Sequence, residues 1–238
     1  MTIQTVFKRY ELKFLLTAEQ KLRLMPEIEK HMQLDNYGRT LIKNLYFDTD
    51  SYRLIRRSLE KPDYKEKLRI RSYGTTCPDS TVFVELKKKF DGVVYKRRIP
   101  LAEQAAMAWL TGRESPPQSQ IAAEIRYFAG YYKNLHPAVF LSYEREAYYC
   151  SDGSDLRLTF DDNILCRQEN LSLCAENYGT ALLSPGQVLM EVKCPGGIPM
   201  WLTSLLSREK LYKTSFSKYG TAYQTMIFSK QKENVTNA

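Results

Sequence analysis

Long apolar runs are missing from this chain. No stretch approaches the roughly 18 uninterrupted apolar residues of a membrane span, and the opening MTIQTVFKRYELKF lacks the apolar core of a secretory signal. A cytoplasmic location is therefore expected. Soft metal ligands are scarce as well. The five cysteines (Cys77, Cys150, Cys166, Cys174 and Cys194) form an odd set without a CxxC pair, and His31 and His136 are the only imidazoles. Neither a disulfide framework nor a tetrahedral zinc site is expected from that set. Any metal should be a hard, oxygen-ligated ion such as magnesium or manganese. The GxxxxGK[ST] phosphate loop and the GxSxG nucleophile elbow are both absent. His136 precedes Pro137 in a turn and His31 falls on a helix, so neither has a visible nucleophile to serve.

Cations are what the chain has in excess. Thirty-five Lys and Arg stand against 27 Asp and Glu, a net charge of +8. An anionic partner follows, but charge alone does not separate nucleic acid, membrane surface and phosphorylated small molecules. The placement of the charges has to decide.

With 43% hydrophobic and 26% charged residues, the 238-residue chain suits one globular domain over residues 1–238, its last few residues forming a disordered tail. No repeat or long linker divides it, although Gly112 to Gln118 reads as a loop. Helices are few. Thr17 with Gln20 forms a capping-box pattern ahead of Leu22, Met25, Ile28 and Met32 at helical spacing, with Pro26 inside the segment. A second helix is expected from Pro117 to Lys133, with Ile121, Ile125, Phe128 and Tyr132 on one face. Shorter ones fit Ala102 to Leu110, Pro199 to Leu206, and the turns after Lys218. Nearly everything else alternates with period two: Phe7 to Leu15, Thr40 to Phe47, Glu66 to Tyr73, Thr81 to Lys89, Val93 to Pro100, Ala138 to Tyr148, Leu156 to Ile164 and Val188 to Cys194. The expectation is an α+β protein in which eight antiparallel strands close into a β-barrel with flanking helices.

The polar faces of these strands are mainly basic. Lys67, Arg69, Arg71 and Tyr73 alternate with Leu68 and Ile70; Glu85, Lys87 and Lys89 with Val84 and Leu86; Lys96 and Arg98 oppose Val93, Tyr95 and Ile99, with Arg97 as a misfit. Tyr143 and Arg145 share a face, as do Arg157, Thr159 and Asp161, Glu191 and Lys193, and Arg9, Glu11 and Lys13. One such face is ordinarily just the solvated side of a strand. Repetition argues otherwise, because like charges on neighbouring strands repel and need a compensating anion. Pointed inward, these faces make a tunnel suited to linked phosphates, which accept charge-assisted hydrogen bonds from Lys and Arg. Glu191, among cations, then reads as a ligand for a divalent ion bridging phosphates. Glu85 and Glu11 are weaker candidates, since each can pair with the lysine two positions along its own strand face.

An ordered set of motifs runs through almost the whole chain: YELKF, NLYFDTD, SLEK followed by KLRIRSYG, VELKKK, VYKRR, SYEREAY, DLRLTFDD, LMEVK and FSKYG. In this the chain resembles the VTC domain, the polyphosphate polymerase domain of the wider CYTH or triphosphate tunnel metalloenzyme group. The resemblance implies a triphosphate tunnel in which Lys13, Arg69, Arg71, Lys87, Lys96, Arg145 and Arg157 bind phosphates, with Tyr143 beside them, Lys193 completing the EVK motif and Ser217 preceding Lys218. It implies Glu191 as the metal ligand, and Lys218, Arg145 and Arg157 at the reacting phosphate. The ExExK signature of the triphosphatase branch reads Arg9, Glu11, Lys13 here, a cation replacing the first carboxylate, which favours the VTC branch over hydrolysis.

The implied function is a metal-dependent (Mn or Mg) transfer of the terminal phosphoryl group of ATP to a growing polyphosphate chain. The competing expectations are hydrolysis of inorganic triphosphate or a nucleoside triphosphate in the same tunnel, and a non-catalytic polyphosphate-binding module. Nucleic acid is not the expected partner, since no RNP-like strand motif accompanies the tyrosines. Without an SPX-like helical domain or a membrane segment in the sequence, regulation and export of product would fall to other chains, including a membrane partner.

Overall fold

A computed structural model describes residues 6–228, with side chains for residues 10–227. The expected C-terminal tail and the side chain of Arg9 lie outside the described residues. In chain order the elements are β1 (Val6–Thr17), α1 (Ala18–His31), β2 (Met32–Leu34), β3 (Thr40–Asp48), α2 (Arg53–Leu59), β4 (Tyr64–Tyr73), β5 (Thr81–Phe90), β6 (Val93–Ala102), α3 (Glu103–Leu110) and α4 (Gln120–Tyr132). They continue with β7 (His136–Cys150), β8 (Arg157–Arg167), β9 (Thr180–Ala181), β10 (Gln187–Cys194), α5 (Met200–Arg208), α6 (Lys218–Ala222) and a π-helical turn, Tyr223–Phe228.

All eight strands read from the alternation are present. They pair antiparallel in the order β7-β3-β4-β5-β6-β1-β10-β8, and β8 pairs back onto β7, so the ladder closes into a barrel. The two short strands, β2 and β9, add to β7 and β8 outside that ring.

Apolar burial outside the barrel sets which way the strands face. Phe14, Leu16, Leu158, Phe160, Met190 and Val192 pack against Leu24 and Ile28 of α1 and Leu202 and Leu205 of α5. On the other side Leu45, Leu68, Ile70, Val84 and Leu86 pack against Trp109 of α3 and Ile125 and Phe128 of α4. Each such side chain contributes about 1.5–3 kcal/mol on burial. A one-residue slip would exchange these residues for Lys and Arg against the helices, so the register is strongly specified and the basic faces are turned inward. Part of the interior is itself apolar: Tyr46, Val139, Leu141, Ile164 and Leu189 receive Tyr219, Ala222, Tyr223 and Ile227 from α6 and the π turn.

A β-bulge tunes β8. Ser142 pairs with Leu165 but Glu144 with Asp162, leaving one extra residue on β8, where Asn163 takes φ +46°. The left-handed conformation suits Asn. The extra residue lets both Asp161 and Ile164, three apart, face the interior.

One local reading is corrected, two are accounted for and one helix is added. Thr17 and Gln20 do form a reciprocal capping box, but Leu22 is 70% exposed, and the buried stripe of α1 is Leu24 and Ile28. Met32, the C-cap of α1, is buried with Leu24 and Ile28 as its spacing implies, and also begins β2. Arg97, the misfit of β6, points outward to Glu124 of α4 at 3.4 Å. In the unanticipated α2 the N-cap residue Tyr52 makes no side-chain cap bond; Thr49 Oγ1 accepts from the Arg53 N–H, and the Asp48 carboxylate accepts from the Leu54 and Ile55 backbone N–H groups. The hydroxyl of Tyr219 also donates to Asp48, at 2.9 Å, which ties the FSKYG motif to NLYFDTD.

Candidate active site

A cavity of about 1250 Å³ occupies the barrel interior, and β4 contributes to its wall from Lys65 to Tyr73. Lysine and arginine dominate its lining, and the sequence-derived residues Lys13, Arg69, Arg71, Lys87, Lys96, Tyr143, Arg145, Arg157, Glu191, Lys193, Ser217 and Lys218 all reach it. They fall into two clusters with a bridging pair between them.

The first cluster centres on Glu85 of β5, which has no exposed surface. Arg69 of β4 donates to it at 2.6 Å, Lys96 of β6 at 3.3 Å, and Arg71 lies 3.9 Å away. Arg69 also donates to the Tyr46 hydroxyl at 2.9 Å, and Arg71 to the Asn44 side-chain carbonyl and the Tyr143 hydroxyl, each at 3.0 Å. The guanidinium groups are thus held in fixed orientations before any ligand arrives. Burial pushes the Glu85 carboxyl up, but Arg69, Arg71 and Lys96 together hold it well below the ordinary range.

The second cluster centres on Glu191 of β10 and Asp161 of β8. Lys193, Lys218, Arg145 and Lys13 lie 3.0, 3.3, 3.4 and 3.5 Å from the Glu191 carboxylate. Asp161 is fully buried, hydrogen-bonded to Arg145 at 2.7 Å and to Lys218. Burial pulls Lys218 down, but Asp161 and Glu191 hold its ammonium charged, well above the usual range. Lys193 donates to the Thr159 hydroxyl at 3.0 Å, and burial brings it down to about 8 although Glu191 opposes the shift. Burial would raise Tyr143, but Arg71, Arg145 and Lys218 bring its hydroxyl down to about 8.

Between the clusters, Lys87 donates to Glu11 at 2.9 Å. Burial pushes Glu11 up, and Lys87 with other lysines holds it at about 2. Glu85 and Glu11 therefore do pair with cations, but with partners on other strands and not with the next lysine along their own. Ser217 caps α6 by accepting from the Gly220 N–H and also accepts from Lys67 at 3.1 Å. Lys13 donates to the Phe216 carbonyl at 2.8 Å. Arg157 alone among the candidate cations is exposed; it lines the cavity opposite Lys193 in register and has no carboxylate within 4 Å among the described residues.

Two interior residues carry more than the sequence suggested. Asp161 stood out only as a member of a mixed face, yet it anchors Arg145 and Lys218. Lys67 has no carboxylate within 4 Å among the described residues; burial, with Lys13, Lys87, Lys65 and Arg69 around it, brings its amine down to about 7. Its place between Leu68-type neighbours on the most basic strand face was the available signal.

The donors for a metal are few. Among the described residues no three His, Cys, Asp or Glu side chains gather. Of the interior carboxylates, Glu191 and Glu11 line the cavity, whereas Glu85 and Asp161 lie behind their cations. One or two hard oxygen ligands fit an ion such as Mg²⁺ or Mn²⁺ that takes its remaining ligands from phosphate and water.

A closed antiparallel barrel with a cation-lined interior and flanking helices is the triphosphate tunnel fold of the CYTH-like proteins. The chain belongs to the VTC domain family, whose model matches residues 8–227. It is 26% identical over 161 residues, 58% of its length, to vacuolar transporter chaperone complex subunit 4 of Schizosaccharomyces pombe, and spans 22% of that protein. In structure it is similar to a putative adenylate cyclase of Bacillus halodurans, with a TM-score of 0.59 and 16% identity, covering 94% of this chain and 100% of that one. It is also similar to a putative adenylyl cyclase of Hippeastrum with a dominant triphosphatase activity, with a TM-score of 0.55 and 17% identity over 91% and 95% of the two chains. At these identities the likeness is one of fold.

Proposed function

We propose that the protein is a metal-assisted phosphotransferase that moves the terminal phosphoryl group of ATP onto a growing polyphosphate chain inside the barrel. The observation that supports this most is the convergence of Lys13, Arg145, Lys193 and Lys218 within 3.5 Å of one carboxylate, Glu191, on the cavity wall of a VTC-family chain. A terminal oxygen of the acceptor chain attacks the γ-phosphorus, the bond from that phosphorus to the β–γ bridging oxygen breaks, and ADP leaves as the chain gains one phosphate. Such transfer depends on positioning and charge stabilisation more than on covalent catalysis. Arg69, Arg71, Lys87, Lys96, Lys13 and Lys193 hold the phosphates, and Tyr143 fixes Arg71. Lys218, Arg145 and Arg157 stabilise charge at the reacting phosphoryl, with Ser217 setting the start of the helix that carries Lys218. Glu191 would hold the divalent ion, Mn²⁺ or Mg²⁺, which when bound neutralises phosphate charge.

Polymerisation in such a tunnel requires that water not compete with the acceptor for the phosphoryl group, and this is what separates it from hydrolysis. No helix among the described residues is long and apolar enough to cross a membrane. We assign the reaction to the cytoplasm, with a separate membrane partner for any export of product. Incubation with γ-labelled ATP and Mn²⁺ tests the reading: label should appear in long chains. Release of the label as free phosphate alone would assign hydrolysis instead.

A further inference from the structure

Beyond the buried arginines the interior changes character. Arg71 pairs with Phe83 and Glu85 with Arg98 across β4, β5 and β6, so Tyr73, Phe83 and Arg98 lie together at the end of the first cluster. Tyr73 and Arg98 line the cavity, and Tyr73 is 44% exposed. Its ring meets Phe83 edge-on, with centroids 5.9 Å apart, while the Arg98 guanidinium covers Phe83 at 4.7 Å from the ring centre. Phosphate binding has no use for aromatic rings, and a core tyrosine would not remain nearly half exposed.

We propose that this rim is the docking place of the nucleotide's base, stacked on Tyr73 beside Arg98, with the triphosphate running inward from Arg71 and Arg69. The inference rests on the reading that the interior takes a nucleoside triphosphate, and it gives the substrate an orientation. Residues two apart on one strand face are separated by about 7 Å, a distance that the ribose spans between a base on Tyr73 and a phosphate on Arg71. Stacking on an aromatic ring contributes about 1–3 kcal/mol per base and reads no base edge, because every base has a π face. Arg98 adds a planar cation of the kind that also stacks on rings. The rim should therefore prefer nucleotides to bare polyphosphate without distinguishing ATP from GTP.

Tyr73→Ala and Tyr73→Phe test this by calorimetric binding of ATP, GTP and inorganic tripolyphosphate. Tyr73→Ala should weaken ATP and GTP alike, by about 5- to 100-fold, and leave tripolyphosphate unchanged, while Tyr73→Phe binds all three as wild type does. ATP binding unaffected in Tyr73→Ala, or ATP and tripolyphosphate weakened equally, would overturn the assignment. A wild-type protein that binds neither ATP nor tripolyphosphate would refute the proposed function itself and take this inference with it.

Discussion

Glu85 and Glu191 are both buried carboxylates ringed by cations, but they face different ways. Glu85 has no exposed surface and lies behind Arg69 and Arg71, outside the cavity lining, whereas Glu191 is part of that lining. Glu85 is the only carboxylate within 4 Å of Arg69 and Arg71 among the described residues. Glu191 shares Arg145 and Lys218 with Asp161. The first arrangement fixes guanidinium groups in place; the second leaves a carboxylate at the surface of the site, two of whose four cations, Arg145 and Lys218, have another anion to hold them. An interior of repelling cations was expected to need a ligand to compensate it. The barrel instead carries its own buried counterions, so that part of its positive charge is neutralised as scaffold and the rest is presented to the ligand.

The largest effect on the fold is expected from Glu85→Gln. It strips Arg69 and Arg71 of their carboxylate in a buried place, a loss of about 3–5 kcal/mol. Chemical denaturation should show it, and saturating tripolyphosphate should restore part of the difference by supplying charge. The Glu85 carboxyl is held well below its ordinary value in the fold, so its contribution is present above about pH 4.5 and disappears as pH falls further. The acid limb of the wild-type stability curve should flatten in the variant. Equal stability of the two proteins at pH 7 would break the scaffold assignment.

Glu191→Gln should cost the fold less, about 1 kcal/mol, because Asp161 still holds Arg145 and Lys218. Its effect on turnover should be far larger. Removing the charge that faces the ligand should cut activity by at least about 100-fold and shift the Mn²⁺ titration midpoint upward. An unchanged midpoint would make Glu191 a second scaffold residue and erase the contrast with Glu85.

Lys67 gives the smallest effect and the opposite sign. Its amine is brought down to about 7 in the fold from an ordinary value of 10.5, so the unfolded chain binds the proton more readily. The penalty to folding is full below about pH 7 and fades as pH rises through the window up to 10.5. Lys67→Met should therefore stabilise the unliganded protein at pH 7 while weakening tripolyphosphate binding about 10-fold through loss of a charge-assisted hydrogen bond. Wild-type protein should take up protons as tripolyphosphate binds, and Lys67→Met less so. Proton uptake identical in the two would exclude Lys67 from the ligand's path.

The barrel was readable because each strand alternates cleanly between the apolar side that meets α1, α3, α4 or α5 and the charged side that does not. Lys13, Arg69, Arg145 and Glu191 could be placed on one face by that alternation, and on the interior by its repetition from strand to strand. What period two does not carry is register. Glu11 meets Lys87 and Glu85 meets Arg69 only because of how the strands stagger around the ring, so the partners along one strand were the wrong ones. Asp161 sits three residues from the equally inward Ile164, and a bulge at Asn163 obscures that phase. Helix α2 went unseen for a related reason: its N–H groups are satisfied by Asp48, from the end of the preceding strand. Lys67 was visible on its face, but its lack of a carboxylate partner is a property of the assembled interior.

The most direct test of a phosphate-binding interior is a crystal structure of the wild-type protein with tripolyphosphate. The account predicts linked phosphates within the barrel, in hydrogen-bond contact with Arg69, Arg71 and Lys67 on one side and with Arg145, Lys193 and Lys218 on the other. Tripolyphosphate held only by lysines on the outer surface, with the interior ion pairs of Glu85 and Glu191 unaltered and no phosphate among them, would contradict it.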